Sequence, residues 1–238
     1  MPETISNPTR GRVGRRSFMR MSGAGILGSV AVGLTLSDLT VAKAMAQTAG
    51  GPTQGADGTV DLGAGDIGVL NYAYALEQLE AAFYTQVIQT PYSGMSSAER
   101  AILIDIRDHE VAHREFFKAA LGANRIPDLA VDFSAIDFGS RESVLTTART
   151  FEDLGVAAYN GGGAAITNPE YLLLAGKIVS VEARHAAALR DLLAPGTSAF
   201  AGDDVVNALG LDQALPPSQV LPAVAPFIAT PISATQLP

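Results

Sequence analysis

The chain has 238 residues, 47% of them hydrophobic, no cysteine, and 24 Asp+Glu against 16 Lys+Arg for a net charge of −8. The length suits one domain with appendages. Without cysteine a disulfide scaffold, a zinc ribbon and an iron–sulfur protein are excluded, and the acidic balance argues against nucleic acid and for cations as partners.

Residues 1–46 have the layout of an export signal and are set aside from the fold. Gly14-Arg15-Arg16-Ser17-Phe18-Met19-Arg20 resembles the twin-arginine motif, the apolar run Gly23 to Leu36 follows it, and Ala44-Met45-Ala46 offers a small-residue cleavage site before Gln47. The apolar run falls short of the ~20 residues that a transmembrane helix needs. No stable membrane insertion is therefore expected after cleavage, and the mature protein is expected in the periplasm or otherwise exported. Removing the segment takes six of 16 Lys+Arg and two of 24 Asp+Glu, which leaves 10 against 22 and a net charge of −12.

Gln47 to Gly65, rich in Gly, Thr and Gln, reads as a flexible leader. Asp66 offers an N-cap, and Ile67 to about Gln89 reads as a first helix with no internal proline, closed by Pro91 and Gly94. Ser96-Ser97-Ala98-Glu99 has capping-box spacing and opens a second helix that runs to Leu121, with Gly122 placed to end it. Ala123 to Gly139, with Pro127 and three aspartates, breaks the helical pattern. It is long enough to carry the chain from one end of a bundle to the other.

Ser140 can cap a third helix from Arg141 to about Asn160, which Gly161-Gly162-Gly163 is expected to stop. Asn168-Pro169-Glu170 is an N-cap followed by proline at the first helical position, so a fourth helix starts there and stops before Pro195-Gly196. From 195 to 238 the chain turns Pro-rich, with one weak helical candidate near Asp203 to Leu209. Its apolar residues Val220, Leu221, Val224, Phe227 and Ile228 are too many for a free tail and are expected to pack on the bundle at 66–194.

Within the fourth helix, Glu182 is stacked at helical spacing with Ala175, Ile178, Val179, Ala186 and Leu189, so its carboxylate faces an apolar core and needs a partner. His185, three residues on, shares that face. The same spacing recurs as Glu110-Val111-Ala112-His113 in a chain with only three histidines. The first helix adds Glu77 with Tyr84 seven residues on, and the third adds Glu152 with Tyr159 seven residues on, about two turns apart in each case. The two halves therefore repeat one pattern, which reads as a four-helix bundle around a two-metal carboxylate centre.

Competing readings exist at each position. Glu80 competes with Glu77 as the contribution of the first helix, and Tyr84 and Tyr159 alone would be ordinary core aromatics. Arg107, Arg114 and Arg184 could pair with the carboxylates and leave a metal-free polar core. His109-Glu110-Val111-Ala112-His113 also matches the metalloprotease signature, in which both histidines hold zinc, but no Gly and His follow at the extended spacing.

At these residues the sequence resembles the ferritin-like superfamily, including bacterioferritin and rubrerythrin. Leu76-Glu77-Gln78-Leu79-Glu80-Ala81-Ala82-Phe83-Tyr84 and Ser180-Val181-Glu182-Ala183-Arg184-His185 look most similar to exported ferritin-like domain proteins related to plant desiccation-related proteins. The resemblance implies an all-α, ferritin-like four-helix bundle with a long crossover between the second and third helices. It implies metal ligands at Glu77, Glu110, His113, Glu152, Glu182 and His185, with Glu110 and Glu182 bridging two iron or manganese ions. Tyr84 and Tyr159 would orient carboxylates beside the ions.

Such a centre would act on peroxide, dioxygen or Fe(II) as an oxidase, peroxidase or catalase-like oxidoreductase in oxidative or desiccation stress. The alternative is a non-enzymatic stress protein whose metal is structural. No rubredoxin-type electron donor is available without cysteine. A homo-oligomer is compatible with the sequence, and nothing in it reports the large shell of an iron store.

Overall fold

The computed structural model describes residues 50–238, so the export-signal reading and the start of the leader lie outside the described residues. Four long helices dominate: α1 Gly65–Gln89, α2 Ser97–Leu121, α3 Arg141–Gly163 and α4 Pro169–Leu193. α1 packs along α2 and α3 along α4, with further contacts from α1 to α3 and α2 to α4, which closes the all-α four-helix bundle expected from the sequence. The connection from Gly122 to Ser140 is the long crossover.

Each helix start follows from local chemistry, with one exception. Ser96 accepts from Glu99 N while Glu99 accepts from Ser96 N, so the capping box forms at α2. Ser140 caps α3 and Asn168 caps α4 ahead of Pro169. Asp66, expected to cap α1, does not: α1 starts after Ala64 with no side-chain cap. The Asp66 carboxylate instead accepts from Thr167 N and Asn168 N, so it anchors the entry to α4 across the bundle.

α1 is buried on nearly every face because the crossover covers the side that α2 and α3 leave open. Two buried amides on α1 hold that cover. Asn71 donates to Leu62 O and Asn124 O and accepts from Ile126 N. Gln78 Oε1 accepts from Leu129 N. These contacts satisfy loop backbone that a purely apolar helix face would strand without partners.

The third helix does not stop at Asn160 but continues through all three glycines. The reason is close approach: a Cβ on Gly161 would sit 2.0 Å from Leu215 O, and one on Gly162 would sit 3.3 Å from Val69 Cγ1. Leu215 N donates to Ala157 O, so the C-terminal segment crosses α3 where only glycine leaves room.

The leader is also not free. Within the described residues β1 Thr53–Gln54 pairs with β2 Val60–Asp61, and β2 pairs in parallel with β3 Ile232–Ser233 near the C-terminus. Val60 and Leu62 are fully buried, and two such apolar anchors suffice to order a segment whose composition looks unstructured.

After α4 the chain makes turns rather than a helix over 203–209, where Val206 and Asp212 form an isolated bridge. Arg190 holds this stretch, donating to Asp153 on α3 and to Asp204 beyond α4. A short helix, α5 Pro217–Val224, then packs on α3 and buries Val220 and Val224, with Ile228 buried just beyond it. Among the described residues no helix is long and apolar enough to cross a membrane.

Candidate metal centre

Glu77 on α1, Glu110 and His113 on α2, Glu152 on α3, and Glu182 and His185 on α4 meet at the middle of the bundle. They form two groups that overlap: Glu77, Glu110, His113 and Glu182 in one, and Glu110, Glu152, Glu182 and His185 in the other. Within each group one ligand atom per residue lies within 4.8 Å of all the others. Glu110 and Glu182 belong to both groups, so they are the two carboxylates that each group could share with the other. All four glutamates are at most 1% exposed.

The donor atoms converge but satisfy one another only in part, through hydrogen bonds of His185 Nδ1 with Glu152 Oε2 and Glu182 Oε2. His113 Nδ1 lies 2.9 Å from Glu182 Oε1, 3.5 Å from Glu77 Oε2 and 3.6 Å from Glu110 Oε2. His185 Nδ1 lies 2.8 Å from Glu110 Oε1, 3.2 Å from Glu182 Oε2 and 3.3 Å from Glu152 Oε2. Yet Glu77 Oε2, both Glu110 oxygens, Glu182 Oε1 and His113 Nδ1 make no hydrogen bond of acceptable geometry. Five buried polar atoms left unpaired at one point would cost several kcal/mol, on the order of 1–3 kcal/mol each. A pair of cations fits that donor set of carboxylates and two imidazoles, and oxygen-rich ligation with nitrogen suits iron or manganese.

The electrostatics show the same strain. Burial pushes Glu110 well above the usual carboxylate range, and the Glu182 and Glu152 charges add to it. Burial raises Glu152 to about 7 against the pull of His185. Glu182 is the exception: burial pushes it upward, but its contacts with His113 and His185 outweigh that and hold it at about 2. Burial alone would lower His185, yet Glu152 and the neighbouring carboxylates raise it to about 12, and His113 is raised likewise, with the Glu77 charge as its main support. The two imidazoles thus carry positive charge against these carboxylates.

The tyrosines reach the carboxylates, but crosswise. Tyr84 of α1 donates to Glu152 Oε1 of α3 at 2.6 Å, and Tyr159 of α3 donates to Glu77 Oε1 of α1. Each spans the α1–α3 interface, rather than serving the glutamate seven residues before it. Burial keeps both phenols protonated, so each remains a donor.

Glu80 lies outside both groups but is buried, and its carboxylate is pushed well above the usual range by burial and then by Glu152. A Cβ on Gly155 would sit 3.2 Å from Glu80 Oε1, so that glycine makes room for a fifth core carboxylate. Nothing in the helical pattern separates Glu77 from Glu80, because a spacing of three residues puts both on one face of α1.

His109 is in neither group. Its Nδ1 lies 2.9 Å from His185 Nε2, with the rings stacked at 11°. Since His185 turns Nδ1 to the carboxylates, its Nε2–H donates to His109, which fixes the orientation of the ring. The zinc site of the metalloprotease motif, which needs both His109 and His113 on one ion, is not formed. The arginines are also spent elsewhere: Arg107 on Asp108, Arg114 on Glu115 and Arg184 on Ser180 O. The metal-free core of arginine–carboxylate pairs is therefore not what the chain builds.

A family model described as a ferritin-like domain matches residues 65–195, which spans α1 through the end of α4. No curated protein matches the chain.

Proposed function

We infer that this chain, which belongs to the ferritin-like domain family, works through two divalent redox ions held by the six side chains that converge from α1, α2, α3 and α4. The observation that carries the reading is the overlap of the two ligand groups at Glu110 and Glu182, where both Glu110 oxygens and Glu182 Oε1 are buried without a hydrogen bond. Iron or manganese bound there would supply electron exchange with peroxide or dioxygen. The protein is accordingly an oxidoreductase of the peroxidase, catalase-like or ferrous-oxidase kind.

The residues of the chain divide that work. Glu77 and Glu152 are the terminal carboxylates, each fixed by a tyrosine across the bundle. Glu110 and Glu182, common to both groups, would contribute to holding either ion, and His113 and His185 would complete one group each. His109 orients His185. The four glutamates are at most 1% exposed, and the low local dielectric of such burial strengthens the electrostatic contacts among them. Glu80 is a buried acid near Glu152 that can hold a proton for reduced oxygen.

The N-terminal motif supports export through the twin-arginine pathway, and the resemblance to exported ferritin-like domain proteins supports a role in oxidative or desiccation stress. A structural centre is the competing reading, since five unpaired buried polar atoms would gain stability from any suitable cation. Peroxide turnover and Fe(II) oxidation, measured on metal-filled wild type and on Glu110→Ala, separate the two. The oxidoreductase reading expects wild type to turn over at least one substrate faster than the variant. Equal rates, with a melting point raised only by metal, would leave the structural centre.

A further inference from the structure

We propose that dioxygen reaches this centre through an apolar cavity at the α1 N-terminal end of the bundle, and that the cavity is a binding site for dioxygen in preference to peroxide. The proposal rests on the oxidoreductase reading of the centre and names its oxidant.

The cavity has a volume of about 20 Å³ and draws its walls from all four long helices. Its floor stands one turn from the ligands on three of them: Ala73 precedes Glu77 by four residues, Phe117 follows His113 by four, and Ile178 precedes Glu182 by four. Four residues rise about 6 Å along a helix. On the fourth, Tyr159 lines the cavity and places its hydroxyl on Glu77. The cavity therefore abuts the group formed by Glu77, Glu110, His113 and Glu182. Gly163 lines its outer wall, and the half-exposed Leu172 side chain lies 3.5 Å from the Cβ position there, so the layer between cavity and surface at that point is apolar.

The chemistry of the walls selects the occupant. A cavity needs roughly 10–15 Å³ of this measure to hold a molecule the size of water, and a water needs two to four polar partners. The Tyr159 hydroxyl is engaged by Glu77 and that of Tyr171 interacts with Asn168. Tyr72 contributes one buried hydroxyl with no partner. One free hydroxyl is too little for water or hydrogen peroxide, which must replace several hydrogen bonds to enter. Dioxygen gives up almost none, and the space suits a diatomic molecule.

Xenon, which occupies dry apolar cavities, tests the site without reference to any metal. Crystals of the full chain under xenon pressure should show a peak between Ala73, Phe117, Tyr159 and Ile178, and Ala175→Val, which narrows the cavity from α4, should remove it. Ala73→Val narrows the same space from α1 and serves if the first variant does not fold. Activity is read as Fe(II) oxidation: two Fe(II) lose one electron each, and dioxygen takes both with two protons to leave as hydrogen peroxide.

A folded filling variant should raise KM for dioxygen by at least about fivefold while KM for peroxide stays unchanged. No xenon in the cavity, or equal shifts for both oxidants, or no shift in either, overturns the proposal. Failure of the oxidoreductase reading has a different signature: xenon binds in place, and the metal-filled wild type consumes neither oxidant.

Discussion

At the scale of single residues, the two ligand groups make unequal demands on their members. Glu110 lies in both groups and Glu77 in one, so Glu110→Gln should reduce bound metal from two ions to fewer than one per chain, whereas Glu77→Gln should retain about one. Metal analysis after gel filtration checks this, and equal losses in both variants would mean the carboxylates are not shared. Supporting contacts should cost less. Tyr159→Phe removes the donor on Glu77, and His109→Ala removes the acceptor on His185 Nε2. Each should weaken metal affinity by about 10–100-fold without lowering the number of ions bound at saturation, as titration with Fe(II) or Mn(II) would show. A zinc site of the metalloprotease kind would instead lose its ion in His109→Ala.

The ligand spacing was visible in the sequence because Glu-x-x-His is a local, intrahelical relation, with both partners on one face. The tyrosine pairing was not, because it depends on which helix lies across the bundle. Tyr84 is on the face of Glu77 by periodicity, yet its phenol is long enough to reach Glu152 on α3. Glu80 was ambiguous for a related reason. Glu77 and Glu80 are three residues apart and share a face of α1, so periodicity does not choose between them, and which one joins the cluster depends on the helices across the bundle.

Among the elements, the run Gly161-Gly162-Gly163 separates local propensity from tertiary packing. Three glycines in sequence favour a helix stop, since each costs about 1 kcal/mol in a helix relative to alanine. α3 accepts that cost because Leu215 crosses Gly161 at backbone contact, and no residue pattern in α3 announces the crossing. Gly161→Ala should therefore destabilise the fold, by about 2–4 kcal/mol, through a clash with backbone that cannot rotate away. Gly176→Ala, on α4 with no heavy atom within 4 Å of the new Cβ, should stabilise it by up to about 1 kcal/mol. Urea denaturation of the two variants gives the contrast, and effects of the same sign would show that the α3 glycines act through helix propensity alone. The leader follows the same logic: its ordering rests on Val60 and Leu62 and on pairing with Ile232–Ser233, a partner more than 170 residues away.

For the whole molecule, the buried charges set how stability responds to pH and to metal. Glu110, Glu80 and Glu152 have folded values above the unfolded one of 4.5, with Glu152 raised to about 7, so the folded chain retains protons that the unfolded chain gives up. Stability from these groups falls as pH rises above 4.5. The histidines act in the same direction: His185 goes from 6.5 to about 12, so its contribution is complete below 6.5 and is lost as pH climbs towards 12. Glu182, lowered to about 2, contributes a constant stabilising amount above pH 4.5 and loses it as pH falls from 4.5 to about 2. The metal-free protein should therefore melt lower at pH 8 than at pH 5.5, by roughly 5–10 °C for a loss of a few kcal/mol in a chain of this size. Bound ions reverse the trend, because they replace the protons on carboxylate and imidazole and bind more tightly as pH rises. The gap between the melting points of filled and metal-free protein should then widen from pH 5.5 to pH 8. Calorimetry on both forms measures it, and a metal-free melting point that is flat or rises over that interval would mean that the six side chains do not carry their charges together in the core.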